Sequence, residues 1–277
     1  MKEDSGIHVS NEYAPHRYST TMEKVLVILE YLVWHAGTDG AGIAQISRDT
    51  RMEKAAVYRA VNTLMVNGYL VKRNAAYTVS SKILALAGEY LERLDVRRVA
   101  HPYLKRMAEK TGELAFIAIM EQSEMVIIEK VEGSKDLRIF SHIGSRFPLH
   151  CAASGKLFLA FMDMESRSRI LKEIKFHQYT QNTIKNRVAL QKHLEEVRRR
   201  GTALNDYEQD QQKRAIAAPI FDSRAQIIAA ICVAGVGSSL TDDKMRDIEV
   251  LLHEAGSAIS QEMGYRMGSA SRYWERG

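Results

Sequence analysis

Residues 42–79, GIAQISRDTRMEKAAVYRAVNTLMVNGYLVKRNAAYTV, constrain this chain more than any other stretch. A short helical pattern is followed by a turn, a second helix, Gly68 and two short strand-like runs. That order is a helix-turn-helix with a β-hairpin wing, and it implies a duplex DNA partner. In the second helix Val57, Ala60, Val61 and Leu64 fall at i, i+3, i+4 and i+7, one apolar stripe facing a core. The opposite face carries Lys54, Tyr58, Arg59 and Asn62, side chains that suit phosphates and base edges in a groove. Tyr69–Val71 and Tyr77–Val79 are expected as strands, joined by residues 72–76 with Lys72 and Arg73 at a basic tip. A lone amphipathic helix with a solvated charged face would show the same stripe. The ordered set of helix, turn, helix, glycine and basic hairpin separates the two readings.

At 277 residues the length favours two domains. The net charge of +5 permits a polyanionic partner without requiring one. Two cysteines, Cys151 and Cys232, are too few for a disulfide framework. No apolar run is long enough for a membrane span, and the first twenty residues lack the apolar core of a signal peptide. A cytoplasmic protein with reduced thiols, no membrane partner, no cofactor and no metal is expected.

Residues 1–18 are polar and aperiodic and are expected to form a flexible arm. Thr20 to Glu23 fits a capping box, followed by the stripe Val25, Leu26, Leu29, Leu32 and Val33. The winged domain is placed at 19–80 and a linker helix at 81–95. Ile83, Leu84, Leu86, Ala87 and Leu91 form that helix's apolar side, which either a second subunit or an ordinary core would bury. A second domain is placed at 96–265, with a tail at 266–277. Its pattern is a helix to about Lys110, then strands at 114–120, 125–131 and 137–143. A loop at 144–149 leads into a helix from about Ala152 to Met162, and another helix, ended by Gly201, runs from Arg187 to Arg200. Two late strands and a last helix capped at Thr241 complete it. Antiparallel strands flanked by helices indicate an α+β fold.

Three segments resemble the IclR family of bacterial transcriptional regulators, over roughly residues 20–265. They are Lys54–Arg59 with Asn67–Leu70, Ile143–Lys156, and Arg199–Ala203 through Ile216–Asp222. The resemblance implies a winged helix-turn-helix, a linker helix and a GAF-like C-terminal domain that binds a small effector and assists assembly. It implies palindromic operators bound by dimers or pairs of dimers, and repression or activation of operons. The expected DNA face is Arg51, Lys54, Ala55, Ala56, Tyr58, Arg59, Asn62, Lys72 and Arg73.

The loop and helix start around residues 144–155 also suit an effector on physical grounds. Free N–H groups and the helix dipole favour a carboxylate or hydroxyl, and Gly155 allows a backbone or ligand to approach closely. The expected effector contacts are Phe147, Leu149, Cys151, Ala153, Ser154, Gly155, Asn205, Asp206, Ala215, Cys232 and Ala234. A sugar acid or short hydroxy acid is the expected ligand. Lys156 is expected to be solvated, and His150 to be a core or hydrogen-bonded histidine.

The chain departs from the family at several points. Arg51 replaces the usual turn glycine, and Ala55 and Ala56 replace hydroxyl residues at the recognition-helix start. Ala215, Cys232 and Ala234 replace polar groups on one pocket wall, and Asn205, next to Asp206, replaces an acid. A second domain serving assembly alone is the main rival reading. A thiol enzyme built on Cys151 with His150 and Asp206 is weaker, because no nucleophile-elbow or protease signature surrounds the cysteine.

Overall fold

The computed structural model describes residues 19–37, 39–92, 95–137 and 139–266. The expected arm lies outside these residues, as does the expected tail beyond Arg266. The chain divides into two compact units, one to Glu92 and one from Arg93.

The first unit holds α1 (Thr20–Trp34), α2 (Ile43–Thr50), α3 (Lys54–Val66), β1 (Leu70–Arg73), β2 (Ala76–Val79) and α4 (Lys82–Glu92). The α3 stripe Val57, Ala60, Val61 and Leu64 is buried in one core with Ile28, Leu32, Ile46 and Leu70. Each fully buried valine or leucine there contributes roughly 1.5–3 kcal/mol. The α1 phase differs from expectation: Leu26 and Val33 are exposed, while Ile28 and Tyr31 are buried. Its sequence is apolar on more than one side, so periodicity alone does not select a face. The cap also shifts by one residue. Ser19, not Thr20, is the N-cap, its Oγ accepting from the Met22 N–H.

Gly68, at φ +75°, ends α3. Its N–H donates to Met65 O at 2.9 Å, and the Tyr69 N–H donates to Leu64 O at 2.8 Å, closing the last turn. Arg73 pairs with Ala76, so the wing turns at Asn74-Ala75 and its strands are longer than expected. Lys72 and Arg73 therefore sit on β1 rather than in the connecting loop.

The second unit comprises α5 (Asp95–Thr111), β3 (Leu114–Glu121), β4 (Glu124–Val131), β5 (Arg146–Pro148), α6 (Ala153–Phe161), α7 (Met164–Glu173), α8 (Arg187–Arg200), β6 (Ala203–Asp206), β7 (Lys213–Phe221), β8 (Ile227–Val236) and α9 (Asp242–Glu262). The strands form one antiparallel sheet in the order β5-β4-β3-β8-β7-β6. Leu114, Phe116 and Ala118 share a core with Leu157 and Phe158 of α6. Ala115 and Ile117 alternate to the other face, where α5 and α9 pack. Coverage on both faces explains why β3 and β8 are nearly continuous apolar runs.

The strand expected at 137–143 does not form among the described residues. Ile139 is buried, but Leu137, Phe140 and Ile143 are exposed, so the apolar residues do not share one strand face. Gly144, at φ +91°, and the bond from the Ser145 N–H to His142 O turn the chain there. The strand on this edge is β5, inside the stretch expected as a loop, with Phe147 opposite Met125. α7 and β6 are additions to the expected pattern.

Candidate functional site

The first unit presents a basic face. Lys54, Ala55, Tyr58 and Arg59 are exposed along α3, with Ala56 and Asn62 half-buried beside them. Lys72 and Arg73 are exposed on the wing. Thr63 faces outward too, but its hydroxyl donates to Arg59 O at 2.9 Å and is occupied within its own helix. No side chain caps the start of α3, whose N-cap is Glu53. The first N–H groups of the recognition helix are thus left for solvent or a phosphate.

Arg51 occupies the turn between α2 and α3 at φ 57°, ψ 30°, in the left-handed region. The Met52 N–H donates to Ser47 O at 3.1 Å and the Arg51 N–H to Arg48 O at 3.4 Å, a helix ending that usually takes glycine. The Ser47 hydroxyl holds the same turn by donating to Met52 O at 2.6 Å. The exposed Arg51 side chain sits one turn before the recognition helix.

In the second unit a cavity of about 270 Å³ opens at the start of α6. Phe116, Phe147, Ala215, Cys232 and Ala234 form its apolar wall. The two phenyl rings lie 6.4 Å apart, tilted. Ala153 and Ser154 enter from α6, Asn205 from β6, Gln209 and Asp210 from the β6–β7 turn, and Tyr179 from the segment before α8. The preceding residue, Ala152, is the N-cap of α6 and makes no side-chain cap. Its first N–H groups and the positive end of the helix dipole therefore remain at the cavity.

Of the expected contacts, Phe147, Ala153, Ser154, Asn205, Ala215, Cys232 and Ala234 line this cavity. Leu149, Cys151, Gly155 and Asp206 do not. Leu149 and Cys151 are buried in the core. A Cβ on Gly155 would lie 2.5 Å from Leu149 Cα, so this glycine serves a backbone approach within the fold. Asp206 turns to Arg214, its Oδ1 lying 2.7 Å from Nε as an ion pair without hydrogen-bond alignment.

Sequence reasoning missed Phe116, Tyr179, Gln209, Asp210, Lys213 and Arg214. The available signal was the dibasic pair Lys213-Arg214 immediately before an apolar run, with acids at 206 and 210. Arg214 is buried and committed. It donates to Leu240 O at 2.5 Å and to Asp242 Oδ1 at 2.8 Å.

Lys156 corrects an expectation: it is fully buried and pairs with Glu208 rather than reaching solvent. Burial pulls the Lys156 ammonium down and pushes the Glu208 carboxyl up, while their pairing opposes both shifts. Glu208 Oε2 has no hydrogen-bond partner. The Glu208 N–H donates to Asn205 Oδ1 at 2.9 Å, and Asn205 Nδ2 donates to Gln209 Oε1 at 2.9 Å. The buried pair thereby links α6 to the polar wall.

His150 is buried, with Nε2 3.0 Å from His177 O. Burial pushes the Cys151 thiol up to about 12, with the Glu208 carboxylate adding to the rise. A buried, protonated thiol beside an occupied imidazole lacks the activation a nucleophile needs. Among the described residues no cluster of His, Cys, Asp and Glu could hold a metal ion. No described helix is long and apolar enough to cross a membrane.

A winged helix-turn-helix together with an antiparallel sheet bearing a small-molecule cavity defines a two-domain DNA-binding regulator. The description "IclR helix-turn-helix domain" matches residues 21–74, and "Bacterial transcriptional regulator IclR C-terminal" matches residues 88–261. The chain belongs to the IclR family of transcriptional regulators, whose C-terminal domain binds effectors. It is 29% identical over 226 residues to the HTH-type transcriptional regulator KdgR of Escherichia coli (strain K12), covering 81% of this chain and 86% of that protein. The crystal structure of the Thermotoga maritima IclR superposes with a TM-score of 0.77 at 28% identity, over 88% of this chain and 99% of that one. An IclR homolog complexed with 4-hydroxybenzoate, from Microbacterium hydrocarbonoxydans, shares the fold. Its TM-score is 0.73 at 20% identity, over 88% of this chain and 99% of that one.

Proposed function

We propose that this regulator binds a palindromic operator as a dimer or pair of dimers. A small organic acid in the cavity of the second unit changes its affinity for that operator. The carrying observation is the uncapped start of α6, which opens at Ala152 to Ser154 into a cavity with an apolar wall. A carboxylate suits those N–H groups and the helix dipole.

The apolar wall narrows the ligand. Each hydroxyl facing Phe116, Phe147 or Ala234 without a partner costs about 1–3 kcal/mol. A sugar acid, hydroxylated all round, fits less well than a compact hydroxy acid with an apolar body. The homolog complexed with 4-hydroxybenzoate holds a ligand of that kind. The acid shifts the operator equilibrium only by its differential affinity for the two states, typically about 1–3 kcal/mol.

The test is a mobility-shift titration of the operator with and without the acid. Ser154→Leu fills the cavity and is expected to abolish the response while leaving operator affinity within about twofold. A response equal to wild type would move the effector site elsewhere.

A further inference from the structure

The helix α3 ends on carbonyls that it cannot satisfy by itself, and no basic residue stands in its last turn. That end carries the negative pole of the helix dipole and favours a cation. Lys82, the first residue of α4, supplies one. Its Nζ donates to Asn67 O at 2.7 Å and lies 4.5 Å from the centroid of the Tyr69 ring. Its stem passes Gly68, with Cδ 3.7 Å from where a Cβ would stand on that glycine.

A second bridge joins the same two places. The Ser80 hydroxyl donates to Gly68 O, twelve positions away, and accepts from the Lys82 N–H at 3.1 Å, capping α4. The Ser80 N–H donates to Tyr69 O at 2.8 Å and closes the base of the wing. Asn67, which receives Lys82, is itself held, because its Nδ2 donates to Thr63 O at 2.8 Å. The end of α3, the base of the wing and the start of α4 therefore form one hydrogen-bonded junction.

This junction lies at the opposite end of α3 from Lys54 to Arg59. The thirteen residues of the helix span about 20 Å at roughly 1.5 Å per residue. A tilt of about 10° about the junction moves the far end by about 3 Å, the full length of a hydrogen bond. A lysine held at this end acts on base contacts through the angle of α3.

We propose that Lys82 is a positioning residue for operator recognition: it locks the tilt of α3 against α4 and the wing, and does not itself touch DNA. This rests on the reading of α3 as the helix that enters the groove, and it holds whatever occupies the cavity.

The probe is the duplex that wild type selects from a randomised pool, compared with the same bases in scrambled order. Lys82→Met keeps most of the stem and removes the charge. It is expected to weaken the selected duplex about tenfold and the scrambled one by no more than about twofold, with the salt slope unchanged. A phosphate-contacting lysine would weaken both duplexes alike and lower the slope by about one unit. Titrations run well below each variant's unfolding midpoint, so a mere loss of stability leaves the ratio between the duplexes unmoved. Lys82→Arg keeps a cation over the Tyr69 ring and is expected to hold the selected duplex within about threefold of wild type. Ser80→Ala breaks the second bridge alone. It is expected to weaken the selected duplex about threefold, and it carries the test if Lys82→Met does not fold. Equal losses on the two duplexes, a lowered slope, or unchanged affinity in Lys82→Met would overturn the proposal. So would Lys82→Arg behaving as Lys82→Met does. Arg59→Ala separates the two readings. If it binds the selected duplex as wild type does, α3 is not the reading helix. A loss there beside an unchanged Lys82→Met sinks only the positioning role.

Discussion

The Tyr31 hydroxyl donates a 2.6 Å hydrogen bond to Asp49 Oδ2, tying α1 to α2 across the core of the winged unit. Tyr31 is otherwise buried, and its ring meets His35 edge-on with centroids 5.9 Å apart. The bond helps to fix which face of α1, apolar on more than one side, turns inward.

Burial, and then the bond to Asp49, raise the Tyr31 phenol from its ordinary value of 10.0 to about 12. A raised pKa means that the stability is fully present below the ordinary value and is lost as pH rises through the raised one. The winged unit is therefore expected to lose stability between about pH 10 and 12 through this residue. Tyr31→Phe should cost about 1.5 kcal/mol at pH 7, the scale of a hydrogen bond to a charged group. Urea midpoints of the two proteins should converge as pH rises through that window. A constant gap across it would remove Tyr31 as the cause.

Arg51 holds a left-handed conformation that costs a side chain roughly 1 kcal/mol. Arg51→Gly is expected to raise stability by about that amount. The same variant removes a cation next to the recognition helix. If that cation contacts a phosphate, the slope of log affinity against log salt should fall by about one unit. A stabilised variant with an unchanged slope would show that the arginine serves neither the turn nor the DNA.

The pair Lys156–Glu208 is buried on both sides. Lys156→Met leaves a carboxylate buried without its partner, expected to cost about 3–5 kcal/mol. Burial already raises Glu208, and losing Lys156 removes the charge that opposes this rise. A carboxyl with a raised folded pKa favours folding at low pH and loses that contribution as pH rises through it. The deficit of Lys156→Met should therefore shrink on acidification. Adding Glu208→Leu should recover most of the stability at pH 7. Thermal unfolding from pH 5 to 8 checks both outcomes, and a pH-independent deficit contradicts the ionised pair.

The winged unit was legible because its signals are local. Spacing placed Val57, Ala60, Val61 and Leu64 inside, and Gly68 marked the stop. The family's turn glycine is missing at position 51, and Arg51 takes the left-handed conformation there. The cavity was legible from local signals between Phe147 and Ser154, and at Asn205, Ala215, Cys232 and Ala234 through the family resemblance. Its far wall is assembled from Asn205 to Arg214 by pairing between β6 and β7, a nonlocal event that composition does not encode. Lys156 was misread for a related reason. A lysine on a helix is usually solvated, and only the partner Glu208, fifty-two positions away, makes its burial tolerable. The loop at 137–143 was misread because Leu137, Phe140 and Ile143 imitate a strand while facing solvent.

The apolar side of α4 gives the last prediction. Leu84, Leu86 and Tyr90 are 74%, 51% and 51% exposed, so the first unit by itself does not bury the stripe as an ordinary core would. Burying such a leucine contributes roughly 1.5–3 kcal/mol, which a partner subunit would recover. One recognition helix reads few base pairs, and a two-fold operator needs two of them held together. Light scattering of wild type at micromolar concentration is expected to show no stable 31.3 kDa species. Leu84→Glu combined with Leu86→Glu places charges on the buried side of that contact. The double variant should weaken operator binding by about tenfold or more, and the loss should shrink as protein concentration rises. An equal loss at every concentration would point to a folding defect instead, and unchanged binding would exclude α4 as the contact.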